Sequence, residues 1–112
     1  MAWMEREIHT VRMGKWDEGI ELAKEWQAYW NRVGGRPPER WYRSFYGAEN
    51  MSVFVVECEW ESAAAMEAFN MQQVDDPELQ AQRKELLAKS NEVYESIRRE
   101  VYYVVPQGDA GG

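Results

Sequence analysis

The chain has 112 residues and a mass of 13.2 kDa, room for one core and no second domain. Thirteen basic residues against twenty acidic ones leave a net charge of −7 and a pI near 4.8, which argues against the cationic footprint of nucleic-acid binding. A lone cysteine, Cys58, excludes an internal disulfide, and no cysteine–histidine cluster exists to hold a zinc ion. Residues 1–10 hold no uninterrupted apolar stretch and nothing later is long and apolar enough to span a bilayer, so neither a signal peptide nor membrane association is expected. The expected setting is cytoplasmic, with no metal and no cofactor.

Glu5 to Met13 reads as a strand, because Ile8 and Val11 sit among Glu7, His9, Thr10 and Arg12 and the β-branched content suits a pleated surface. Gly14 breaks the run, and a helical pattern follows from Lys15 to Val33. Trp16, Ile20, Ala23, Gln27 and Trp30 recur at three- and four-residue intervals, and Leu22, Trp26, Tyr29 and Val33 widen the stripe. Gly34-Gly35 reads as a left-handed stop, and Pro37-Pro38 prevents continuation.

Glu39 to Tyr46 reads as a second strand, with Trp41, Arg43 and Phe45 on one face. Gly47 to Asn50 suits a four-residue hairpin loop. Met51 to Trp60 carries the clearest alternation, with Phe54, Val56, Cys58 and Trp60 pointing one way and Val53, Val55, Glu57 and Glu59 the other. Ser62 can cap a short helix to Met71. Asp76-Pro77-Glu78 then combines a cap, proline at the first helical position and acid in the first turn. The helix so started is expected to run on through Ile97, with Arg98 and Arg99 at its carboxyl end, where the dipole favours cations. Val101 to Val105 closes as a strand. Residues 1–105 are expected to form one domain and 106–112 a flexible tail.

Strand, helix, two strands, helix, strand is the split βαβ order of a ferredoxin-like α+β domain, a four-stranded antiparallel sheet with its helices on one face. The final strand is apolar or aromatic on both faces, as are the second and third. Helices cover only one of these faces, and a greasy face left open is larger than a soluble monomer usually tolerates. A second copy is the simplest cover, giving a homodimer whose two sheets close into a barrel.

Three stretches carry a resemblance: Arg6 to Glu18, a strand running into a Gly-Lys helix start; Val56 to Ala63, a strand ending in Trp-Glu-Ser; and Asp76 to Gln80. With them the chain resembles the dimeric α/β-barrel superfamily, whose members include NIPSNAP-like and antibiotic-biosynthesis-monooxygenase-like domains. The resemblance implies a homodimer with a small-molecule pocket between sheet and helices, and activities ranging from cofactor-free oxygenation to haem degradation. Fold analogy cannot choose among these. Haem-degrading members use an Asn on the first strand, a Trp near the end of the third and a His on the following helix. Here Trp60 stands in the Trp-like place, the first strand has no Asn, and the helix offers Phe69 and Asn70, so no axial haem ligand is expected.

Among chemically capable residues, His9 is the only histidine and a candidate general base or hydrogen-bonding group, against the plainer reading of a partly exposed strand residue. It is expected to face away from Cys58, which reads as an inert buried thiol. Arg43, set between Trp41 and Phe45, is a candidate to hold a carboxylate or enolate, with Trp41, Tyr103 and Glu57 as further candidate ligand-binding residues; an edge-strand cation that reaches solvent or pairs across a dimer is the alternative. Glu57 and Glu59, two apart on one strand face, are a candidate carboxylate pair, or solvated strand-end charges. The expected protein is a homodimer that binds a small, partly apolar organic molecule; the alternatives are a cofactor-independent monooxygenase or an interaction module with no pocket.

Overall fold

The computed structural model describes residues 2–47 and 51–107. In chain order these form β1 (Trp3–Val11), α1 (Trp16–Val33), β2 (Glu39–Arg43), β3 (Val53–Trp60), α2 (Ala63–Met71), α3 (Pro77–Val93) and β4 (Tyr94–Tyr103). The strands build one antiparallel sheet in the order β2-β3-β1-β4, so the domain is ferredoxin-like. Ala48–Asn50 of the expected hairpin loop and Gly108–Gly112 of the expected tail lie outside the described residues.

Local chemistry sets most element ends. Asp76 accepts from the Glu78 and Leu79 amides at 2.8 and 3.4 Å, with Pro77 opening the helix, and Ser62 accepts from the Ala65 amide at 3.1 Å. Gly34 closes α1 with φ +83°, but its ψ of 157° lies outside the left-handed helical well that the sequence suggested. Its amide still donates to the Trp30 carbonyl at 2.8 Å.

Two elements depart from expectation: β2 ends at Arg43 rather than Tyr46, and the boundary of α3 with β4 lies earlier. Helix α3 stops at Val93, and Tyr94 to Arg99 belong to β4, so Arg98 and Arg99 are strand residues. The reason is tertiary. β1 runs nine residues and β4 pairs along all of it, from Trp3 opposite Tyr103 to Val11 opposite Tyr94. That pairing overrides the weak helical preference of Glu95 to Arg99. The register shifts between Thr10 and Val11, which skips Glu95 and turns Tyr94 into the core.

All helices lie on the face carrying Glu5, Glu7, His9 and Val11 of β1 and Phe54, Val56, Cys58 and Trp60 of β3. Tyr29, Leu22 and Phe54 centre one apolar cluster there, and Met66, Phe69 and Trp60 a second beneath α2. Gly19 lets α1 close on the sheet: a Cβ there would meet the Val11 side chain at 3.1 Å, and the Gly19 carbonyl accepts from the Tyr94 hydroxyl at 2.8 Å. The opposite face carries Arg6, Ile8, Val55, Glu57, Tyr42 and Tyr102. Arg6 donates to Glu57 at 3.0 Å and lies over the Tyr102 ring.

Candidate functional site

Between the two apolar clusters lies a buried polar group that no local sequence pattern announces. Glu5 is 2 % exposed. Its carboxylate accepts from the Trp60 indole at 3.3 Å, the Asn70 amide at 3.2 Å, the Cys58 thiol at 3.7 Å and the Arg99 guanidinium. Arg36 enters from the loop between α1 and β2 with its side chain 6 % exposed. Its Nε donates to Glu39 at 2.8 Å, its Nη2 to Glu7 at 3.1 Å, and its Nη1 lies 3.9 Å from Glu5. Each nitrogen of the guanidinium therefore faces a carboxylate. A buried charge left without such partners would cost several kcal/mol, on the order of 3–5, so the arrangement depends on all members together.

This cluster forms the polar end of a cavity of about 270 Å³ between the sheet and helices α1 and α3. Glu7, His9, Arg36 and Glu39 stand at the polar end. Trp26, Trp30, Tyr94, Ile97 and Leu87 supply aromatic and aliphatic walls, and Ser90 and Asn91 come from α3. The Ser90 hydroxyl is already committed: it accepts from the Trp26 indole at 2.9 Å and donates to the Leu86 carbonyl at 2.9 Å.

His9 is 8 % exposed, stacks on Phe54 at 4.5 Å between ring centroids, and its Nδ1 has no hydrogen-bond partner. Its Nε2 lies 3.8 Å from Glu7 Oε2, beyond a direct hydrogen bond. Burial pushes the imidazole down to about 4, so the ring is neutral at pH 7. Burial also raises the Glu7 carboxyl above the usual carboxylate value, with Arg36 opposing it and Glu5 adding to it. The cavity thus presents a neutral imidazole beside a carboxylate oxygen, in apolar surroundings where both interact strongly with a bound molecule.

Of the residues singled out from sequence, His9 lines this cavity; the others stand elsewhere. Arg43 lies over the Trp16 ring at 3.8 Å and donates to the Met51 carbonyl at 2.8 Å. Trp41 packs towards Phe54 and its indole donates to Glu39 at 3.1 Å, one residue behind the cavity wall. Tyr103 meets Trp3 edge-on at the far end of the sheet. Glu57 pairs with Arg6 on the opposite face. The expectation that His9 faces away from Cys58 is corrected: both stand on the helix side, because His9 pairs with Phe54 and Glu5 with Cys58 in the β1–β3 register. Cys58 bonds to Glu5, and burial pushes its thiol up to about 12. Sequence reasoning missed Glu5, Glu7, Arg36 and Glu39. The one available signal was an arginine held between paired glycines and paired prolines, a stiff loop with a single charge.

No family model matches the chain, and no curated protein matches its sequence. Solved structures do share its fold. A NIPSNAP family protein from Agrobacterium tumefaciens superposes with a TM-score of 0.70 at 18% identity, over 97% of this chain and 96% of that one. A variant of SnoaB, a cofactor-independent oxygenase from Streptomyces nogalater, gives 0.63 at 14% identity over 95% of each chain. A candidate antibiotic biosynthesis monooxygenase from Chloroflexus aurantiacus gives 0.60 at 12% identity, over 99% of this chain and 100% of that one. At such identities the likeness is one of fold.

Proposed function

We propose that this protein binds a small, largely apolar organic molecule in the cavity under α1 and α3, and does so as a homodimer joined through the open sheet face. The observation that carries the binding reading is the cavity itself. This space holds about 270 Å³, opens past the half-exposed Leu87 and Ile97, is walled by Trp26, Trp30 and Tyr94, and ends on Glu7, His9, Arg36 and Glu39. Such a mix of apolar wall and few polar anchors is the usual composition of a ligand site. Support for the dimer comes from the face that no helix covers, where Tyr42 of β2 and Tyr102 of β4, 46 % and 41 % exposed, flank the Arg6–Glu57 ion pair.

Titration of the 15N-labelled protein with indole tests the binding reading. Saturable shifts of the Trp26 and Trp30 indole signals are expected. Indole bound nowhere, or bound with shifts confined to the opposite sheet face, would leave an interaction module as the better description.

A second reading, cofactor-independent oxygenation, is favoured by the neighbouring His9 and Glu7. A base here could take the proton of an acidic C–H, and the resulting carbanion would itself supply electrons to dioxygen. Oxygen uptake with an anthrone as substrate, lost in His9→Phe and Glu7→Gln, is the corresponding assay.

A further inference from the structure

The polar end of the cavity has an imbalance of charge that bears on what enters it. Glu5, Glu7 and Glu39 are three carboxylates, and among the described residues two guanidiniums, Arg36 and Arg99, lie against them. One negative charge is left over. Arg36 meets Glu39, Glu7 and Glu5 with its three nitrogens, so it is already engaged by this chain's own carboxylates and is poorly placed to take a ligand's. Glu7 commits Oε1 to Arg36, whereas its Oε2 faces His9 Nε2 across 3.8 Å with no hydrogen bond between them. His9, 8 % exposed and part of the cavity wall, leaves its Nδ1 unpartnered.

We infer that the molecule bound here carries an ammonium group on an apolar body, the nitrogen lodged between Glu7 Oε2 and His9 Nε2. This rests on the ligand-binding reading above. Two acceptors 3.8 Å apart are close enough for one ammonium to donate to both at ordinary hydrogen-bond lengths. Binding selects the imidazole tautomer with Nε2 bare. A hydroxyl can bridge the same pair, accepting from Nε2–H in the other imidazole tautomer and donating to Glu7, but it brings no positive charge to the surplus carboxylate. A carboxylate brings none and meets the surplus negative charge.

Calorimetric titration of the full chain at pH 7 with four probes of similar shape tests this: 2-phenylethylamine, 2-phenylethanol, phenylacetate and ethylbenzene. The amine should bind about tenfold or more tightly than the alcohol, and phenylacetate should not bind measurably. Glu7→Gln should erase the amine's advantage over the alcohol. An alcohol or phenylacetate that binds as well as the amine overturns the inference but spares the cavity reading. Failure of all four overturns both. Should Glu7→Gln not fold, the order of the four affinities on the native chain decides alone.

Discussion

Arg36 donates from Nη2 to Glu7 Oε1 at 3.1 Å, tying the loop after α1 to the middle of β1. The same guanidinium reaches Glu39 at the start of β2, so one side chain clamps the loop to two strands and closes the polar end of the cavity. Replacing it with Met takes the cationic partner from Glu7 and Glu39 in a poorly solvated place. Arg36→Met should cost about 3–5 kcal/mol in urea unfolding at pH 7, and less under mildly acid conditions, where Glu7 can take up a proton. A loss below about 1 kcal/mol would mean that the carboxylates are far better solvated than the geometry implies.

His9 makes stability depend on pH in a predictable direction. Its imidazole titrates near about 4 when folded, against about 6.5 in an unfolded chain. The unfolded chain therefore gains its proton first as pH falls. The contribution is fully present above about pH 6.5 and is lost on the way down to about 4, in all about 3 kcal/mol. Glu7, raised by burial, acts oppositely: its contribution is present at low pH and fades as pH rises through its folded value. His9→Phe keeps the ring stack on Phe54 and removes the titration. Between pH 7.5 and 4 the native protein should lose about 3 kcal/mol more than His9→Phe. Parallel stability curves would contradict the buried neutral imidazole.

Much of this fold was legible because its signals are local. The alternation of Phe54, Val56, Cys58 and Trp60 assigned both faces of β3, and Asp76-Pro77 marked the start of α3. The end of α3 was not legible, since Tyr94 to Arg99 carry no stop signal and become strand only by pairing with β1. The site was less legible still. Nothing near Glu5 in sequence says that it is buried, because its partners Arg36, Cys58 and Arg99 arrive from other elements. His9 drew notice as the only histidine, but its face depended on a register that a single strand cannot reveal.

Cys58 should be chemically silent. Its thiol is buried, held against Glu5 and pushed up to about 12, so almost no thiolate exists at pH 7. A disulfide reagent such as dithionitrobenzoate should react at the rate of global unfolding, with full reaction only in denaturant. Prompt labelling of the folded chain would show that this part of the sheet opens locally.

The open sheet face should join two copies. Sedimentation at micromolar concentration should give twice the 13.2 kDa chain mass, and Val55→Asp, which sets a charge beside Ile8 and Tyr42, should return the protein to monomer. A native protein that sediments as one chain would leave that face exposed to water and remove the barrel.

The cavity is tested most directly by filling it. Ala23 stands in its wall on α1, so Ala23→Phe places a ring where the ligand would lie and adds apolar contact rather than removing any. With ethylbenzene as probe, the native protein should bind with saturable heat at one molecule per chain, and folded Ala23→Phe should give none. Equal binding by both proteins, or none by the native one, would contradict the proposal that this space exists to hold a ligand.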